Sequence, residues 1–313
     1  MKKVLITGAA GMIGFELAKQ LSKNNRVILF DIPEKIDEIK NKIINKKNIQ
    51  LCSASFLEKT AILNAMKDVE CVFHLGAMLG VKNTEQDKLK CIEVNIRGTQ
   101  NVLDSMINSK VKKIVFASSS EVYGEPISNP ITEKTITQGK TVYGITKLVG
   151  EELCKAYEQK FNIKYSVLRY FNCYGPNQNS NFVISNFVSN VMNGKSPIIY
   201  GKGTQKRSYT YVSDTAEATA KCLDNPKSIN VVLNIGNGKH PINLIDLANL
   251  VIKIANNKNK IKPKIIDQFR GSDRTKSREI FYRYCDSTLA QNNLNWHPKI
   301  SLNQGIKKII NAK

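Results

Sequence analysis

Short apolar runs and amphipathic stretches alternate through the first half of the chain. Val4 to Thr7, Val27 to Phe30, Ile49 to Cys52, Cys71 to Leu75, Ile114 to Ala117 and Tyr165 to Leu168 are β-branched and near-continuously apolar, and they predict six buried strands. Between the first two runs, Ile13, Leu17 and Leu21 recur at four-residue spacing, which predicts a helix over Met12 to Lys23. Further helical segments are expected near 58–67, 85–109 and 142–160. Strands that are apolar on both faces and alternate with helices predict a parallel sheet covered on both sides. After Tyr170 the punctuation changes. Gly175-Pro176-Asn177, Asn193 to Pro197 and Gly201-Lys202-Gly203 are turn signals, with helices expected near 180–193, 213–224, 243–256 and 286–294. The reading is an α/β chain with a larger domain over 1–170 and a smaller α/β domain over 171–313, with segments exchanged between them allowed.

Composition narrows the function classes. The longest apolar runs fall short of the roughly eighteen residues a membrane span needs. The apolar stretch at the N-terminus is too short for a signal-peptide core, so a cytoplasmic location is expected. Seven widely spaced cysteines without a C-x-x-C pair predict free thiols rather than a zinc site or a disulfide framework, and no metal is expected. The net charge of +21 raises the question of nucleic acid. The lysines are dispersed and not interleaved with aromatics, so no concentrated nucleic-acid footprint is predicted. A binding scaffold for RNA or a partner protein remains the non-enzyme alternative.

The first strand runs into Thr7-Gly8-Ala9-Ala10-Gly11-Met12-Ile13-Gly14. Gly8 allows a tight turn, Gly11 lets a pyrophosphate approach the backbone, and Gly14 lets helix and strand pack closely. The free N–H groups of the helix start, at Met12 and Ile13, favour an anion. Asp31 ends the second strand, where a carboxylate accepts from ribose hydroxyls and repels a 2′-phosphate. No arginine follows it, so NAD is expected over NADP. Tyr143 and Lys147 are four apart on one helical face. An adjacent ammonium favours a phenolate, so Tyr143 is expected to act as a base below its ordinary pKa of about 10. Ser118-Ser119-Ser120-Glu121 leaves the end of the fifth strand, where open α/β sheets bind ligands.

With these residues in this order the chain resembles the extended short-chain dehydrogenase/reductase family, in its NAD-dependent nucleotide-sugar epimerase/dehydratase branch, over nearly its whole length. The resemblance implies a Rossmann-type doubly wound sheet with a sugar-nucleotide-binding C-terminal domain. It makes Ser119, Tyr143 and Lys147 the catalytic set, with Ser119 placed by counting back from Val122-Tyr123-Gly124 and its neighbours one residue away as alternatives. His74-Leu75-Gly76-Ala77 matches an element that borders the cofactor through Leu75 and Ala77, and Asn95 matches an asparagine that supports the site. Arg169 to Pro176 resembles R-Y-F-N-x-Y-G-P, in which Asn172 would contact the substrate diphosphate. Gly201 to Arg207 resembles G-x-G-x-Q-x-R, in which Arg207 would grip a phosphate. A second phosphate-binding arginine falls at Arg278, with Arg274 and Arg283 as alternatives. Where the family often has G-D-I after the third strand, this chain has Ala54-Ser55-Phe56, and adenine contact passes to Ser55 and Phe56.

The family's dehydratases carry Asp-Glu after the catalytic hydroxyl residue. Here Ser120 replaces the Asp and Glu121 is retained, which argues against dehydration; Ser-Glu also occurs in UDP-glucuronate decarboxylases. The resemblance therefore implies C4-epimerisation of a UDP-sugar through a transient 4-keto sugar, with decarboxylation or 4,6-dehydration as alternatives. Ser119 and Ser120 would lie against the sugar, and Glu121 would join the catalytic group. By resemblance, helices near 85–109 and 142–160 would pair two copies as a homodimer.

Overall fold

The computed structural model describes residues 1–43, 46–255, 261–266 and 279–312. Six strands come from the first half: β1 (Lys3–Thr7), β2 (Arg26–Asp31), β3 (Ile49–Ser53), β4 (Cys71–His74), β5 (Lys113–Ser119) and β6 (Lys164–Tyr170). They form one parallel sheet in the spatial order β3-β2-β1-β4-β5-β6, and a seventh parallel strand, Val231–Ile235, adds to β6. Strand order reverses between β1 and β4, so their C-terminal ends open a crevice at the switch point.

Helix α1 (Met12–Leu21) follows β1 directly, and its buried face carries Phe15, Leu17, Ala18 and Leu21. The stretch expected as one helix near 85–109 is broken. Asp87 ends one helix and caps the next by accepting from the Lys90 N–H. A π-turn over Glu93–Arg97 then leads into Gly98–Asn108. The Phe56 ring lies against both Gly76 and Gly98, where side chains would collide with it. The long helix Val142–Phe161 is started by Thr141, whose hydroxyl accepts from the Gly144 N–H, and is ended by left-handed Asn162.

The chain crosses back over the boundary expected at Tyr170. Helix Val212–Lys221 and helix Thr288–Leu294 flank the sheet beside α1 and strand Val231–Ile235. Ala216, Ala218, Leu233, Ile235, Ala290, Leu294 and Trp296 share one core with Val4, Ile6, Leu17 and Leu29. A separate core of Tyr174, Phe187, Val188, Val191, Leu247, Val251, Ile306 and Ile309 holds the C-terminal layer together. Met12 and Ile13 pack against that second core, so the start of α1 touches both layers.

Candidate active site

The glycine turn is built by backbone contact. Gly8 has φ +66°, and a Cβ there would lie 2.6 Å from the Gly76 nitrogen, so no other residue fits without displacing the chain after β4. The Gly11 N–H donates to the Gly8 carbonyl at 3.1 Å. Gly11 precedes α1 with no side-chain cap, and the first turn holds no acidic residue. The opening N–H groups at Met12 and Ile13 are thus offered to an anion. Asp31 closes β2 and accepts from the Ala10 N–H at 2.9 Å and the Ile32 N–H at 2.9 Å. Burial pushes its carboxyl above the usual range, and these two N–H bonds oppose the shift. A cradle of glycines, an uncapped helix start and a carboxylate at the next strand end together fit a dinucleotide.

A neutral histidine joins this turn to its neighbours. The Gly76 N–H donates to Thr7 Oγ1, which meets His74 Nδ1 at 2.6 Å; His74 Nε2 meets Thr99 Oγ1 at 3.0 Å. Thr99 donates to the Asn95 carbonyl, so the chain of donors puts the imidazole proton on Nε2. Burial, reinforced by Lys147, brings His74 down to about 3. Asn95, on the π-turn, accepts from the Met78 N–H at 2.7 Å and donates to Thr146 Oγ1 at 3.0 Å. It thereby fastens the Leu75–Ala77 segment to the long helix that carries Tyr143 and Lys147. Ser55 lies two residues beyond Ser53, the register partner of Asp31, and accepts from the Leu57 N–H. The Phe56 ring stacks edge-on to His74 at 5.4 Å, so that side chain is part of the scaffold.

Ser119, Tyr143 and Lys147 are brought together at the C-terminal end of β5. The Ser119 side chain is hydrogen-bonded to Tyr143 and accepts from the Glu121 N–H. Lys147 Nζ is buried, donates to the Ala117 carbonyl at 2.7 Å, and lies 5.7 Å from the Tyr143 ring centre. The electrostatics differ from the sequence-based expectation. Burial, and then the Glu121 carboxylate, hold the Tyr143 phenol above its ordinary value, and the Ser119 bond only partly offsets them. Burial also brings Lys147 down to about 8. Desolvation disfavours both charged forms, and it is the largest cause of each shift. Ser120 is buried beside Glu121.

The residues that the motifs assign to phosphate are held by partners within the protein. Arg283 donates to the Glu121 carboxylate and, at 3.2 Å, to Asn172 Oδ1. Asn172, with φ +38°, donates from Nδ2 to the Ser208 carbonyl at 2.8 Å. Arg207 pairs with Glu279 at 2.8 Å and donates to the carbonyls of Lys206, Ile280 and Phe281. An anion at Arg207 would compete with a carboxylate already in place. Arg278 and Arg274 lie outside the described residues. The sequence offers Arg283 only as an alternative and assigns no role to Gln205 or Ser208, whose Oε1 and Oγ are buried without a hydrogen-bond partner among the described residues. The sequence holds no signal for them, since the burial of Gln205, Arg207 and Ser208 beside exposed Lys206 is set by the packed fold. Among the described residues no three metal-ligating side chains converge, and no helix is long and apolar enough to cross a membrane.

A parallel sheet with a glycine turn after β1, an acidic residue closing β2, a serine closing β5 and Tyr-Lys on the long helix that follows defines an extended short-chain dehydrogenase/reductase. The chain belongs, more narrowly, to the GDP-mannose 4,6 dehydratase family, whose model matches residues 5–309. It is 35% identical to a putative UDP-glucose 4-epimerase of Methanocaldococcus jannaschii, over 98% of this chain and 97% of that one. It is 32% identical to the UDP-N-acetyl-alpha-D-glucosaminuronate decarboxylase of Bacillus cytotoxicus, over 99% and 97%. The UDP-glucuronic acid 4-epimerase of Bacillus cereus, solved with UDP-glucuronic acid and NAD, superposes with a TM-score of 0.88 at 30% identity, covering 99% of this chain and 98% of that one.

Proposed function

We propose that the protein is an NAD-dependent UDP-sugar 4-epimerase. The observation that carries this reading is the gathering of Ser119, Tyr143 and Lys147 at the C-terminal end of β5, two strands from the β1 that carries the glycine turn, with Ser120 where a dehydrating acid would stand. Gly8, Gly11, Gly14, the α1 N-terminus and Asp31 would hold NAD, with Leu75, Ala77 and Asn95 at its border and Ser55 near adenine. NAD, when bound, would supply a hydride acceptor for C4 of the sugar. Tyr143 takes the C4 hydroxyl proton, Ser119 holds the same oxygen by a hydrogen bond, and Lys147 stabilises the phenolate. Asn172 and Arg283 would face the diphosphate, and Arg207 would reach it only by loosening its hold on Glu279. Incubation with NAD and a panel of UDP-glucose, UDP-N-acetylglucosamine, UDP-glucuronate and GDP-mannose, read by mass spectrometry and proton NMR, tests the reading. A product of unchanged mass with an altered C4 coupling is expected; loss of water or carbon dioxide from every substrate consumed would replace it.

Decarboxylation is the second reading, favoured by the buried Glu121–Arg283 pair beside Tyr143. Glu121→Gln separates the two. Under epimerisation, removing a negative charge that disfavours the phenolate moves the acidic limb of the kcat/KM profile to lower pH, with turnover retained within about tenfold. Under decarboxylation the same variant loses turnover altogether.

Asp31→Asn is expected to weaken NAD binding and to narrow the preference for NAD over NADP by about tenfold, because it removes the charge that repels a 2′-phosphate. Titration of both dinucleotides by calorimetry checks this, and an unchanged ratio would remove Asp31 from the cofactor site. The reading includes a homodimer. Leu89, Ile92 and Ile145 leave apolar surface on two helices that pack side by side. Leu89→Glu combined with Ile145→Glu should convert a sedimenting dimer to monomer; a monomeric parent protein would refute it. Seven free thiols accord with a cytoplasmic location, which cell fractionation checks.

A further inference from the structure

A row of polar side chains crosses the sheet beneath the catalytic segment. Ser118 on β5 and Asn234 on the seventh strand are both register partners of Arg169 on β6, so the three share one face of the sheet. The long helix brings Glu151 onto this row. Its carboxylate accepts from Ser118 Oγ, from Arg169 Nε at 2.9 Å and from Arg169 Nη2 at 2.6 Å. Arg169 Nη1 donates to the Tyr123 hydroxyl at 2.8 Å, and Tyr123 donates to Asn234 Oδ1 at 2.7 Å. Asn234 Nδ2 ends the row on the carbonyls of Ile131, at 3.1 Å, and Asp286, at 3.4 Å. None of the five side chains is accessible to solvent beyond a few per cent.

Fold stability alone is a poor reason for this arrangement. Well-packed apolar residues commonly replace a buried ion pair with no loss of stability. Its fastening points suggest a different purpose. Ser118 immediately precedes Ser119. Tyr123 ends the short turn that begins at Ser120 and contains Glu121. Glu151 lies one helical turn beyond Lys147, on the same face. Gly150 sits on the Phe116 ring, where a Cβ would collide, so the helix approaches β5 closely just there. The row therefore grips both ends of the Ser119–Glu121 segment and the helix that carries Tyr143 and Lys147.

We propose that Ser118, Glu151, Arg169, Tyr123 and Asn234 are positioning residues that set the register of the long helix along β5, and so keep Ser119 in reach of Tyr143 and Lys147 on the Ala117 carbonyl. The proposal rests on Ser119, Tyr143 and Lys147 being the catalytic set. Each of the five acts through another residue and needs no contact with substrate.

The test uses the full-length protein and the sugar nucleotide it turns over. Ser118→Ala and Tyr123→Phe each remove one hydroxyl from the row. Misplacement of reacting groups by as little as an ångström costs up to about a hundredfold in rate. The expected result is a fall in kcat of about ten- to a hundredfold with KM within about twofold of the parent. A paired variant, Glu151→Met with Arg169→Met, removes both charges together; it should melt near the parent temperature and still show the lowered kcat. Parent-like kcat per folded molecule in these variants, or kcat and KM values that follow only the folded fraction, would overturn the proposal. If the parent protein turns over no sugar nucleotide, the functional reading falls separately. Crystal structures of the parent and Tyr123→Phe then decide the point: a displaced Ser119 or Lys147 supports positioning, and an unmoved pair refutes it.

Discussion

Tyr143→Phe is expected to reduce turnover by about a thousandfold while leaving cofactor and sugar-nucleotide binding near parent values, since a positioned acid–base group contributes roughly 10²–10⁴-fold. The variant removes one hydroxyl and keeps the ring. The helix start is held independently by the Thr141 cap and by Thr146, which donates to the Tyr143 carbonyl at 2.9 Å and accepts from Asn95. The loss should therefore appear in kcat rather than in folding. Burial and Glu121 keep the phenol protonated at neutral pH in the ligand-free site, so its ionisation depends on positive charge gathered around it. Lys147 provides part of that charge, and burial brings it to about 8. As pH rises through that value the ammonium is lost and the phenolate loses its support, so turnover should decline on the alkaline side. Initial rates by NMR across pH 6–9.5 check both statements. A Tyr143→Phe protein within about tenfold of the parent would exclude Tyr143 as the base.

Arg169→Met should lower stability by about 3–5 kcal/mol, because it strips the Glu151 carboxylate of a two-point partner inside the protein. For a chain of this size that corresponds to a fall in Tm of about 5–8 °C. Differential scanning calorimetry reads it directly. Adding Glu151→Met should recover most of the loss, since the two side chains touch and their effects are not additive. A melting point unchanged by Arg169→Met would mean that the pair is solvated in solution and does not lie in the interior.

The residues that make a nucleotide-binding α/β protein were legible because their signals are local. The apolar runs from Val4 to Leu168 correspond to β1 to β6, and the glycine spacing from Gly8 to Gly14 corresponds to a turn whose sterics act over a few atoms. Tyr143 and Lys147 share a face because any helix repeats every 3.6 residues. Two features on the same elements escaped local reading. The break at Asp87 depends on a side-chain cap, and the π-turn at Asn95 depends on what the asparagine grips.

What only the tertiary structure decided depends on contacts far apart in the chain and on burial. Val231–Ile235 becomes the seventh strand only because it meets β6, and that return carries residues past 170 into the first core. Arg283 reaches Glu121 across 162 residues, and Arg207 reaches Glu279 across 72, pairings for which spacing holds no signal. The sign of the Tyr143 shift could not be read from Lys147 standing four residues away, because burial and the Glu121 carboxylate, set by the packed fold, raise it. Periodicity and sterics of neighbouring residues thus determined which elements form, and the family resemblance implied which side chains carry chemistry. The packed fold alone decided how deeply those side chains are buried, which charges face them, and hence what protonation they hold.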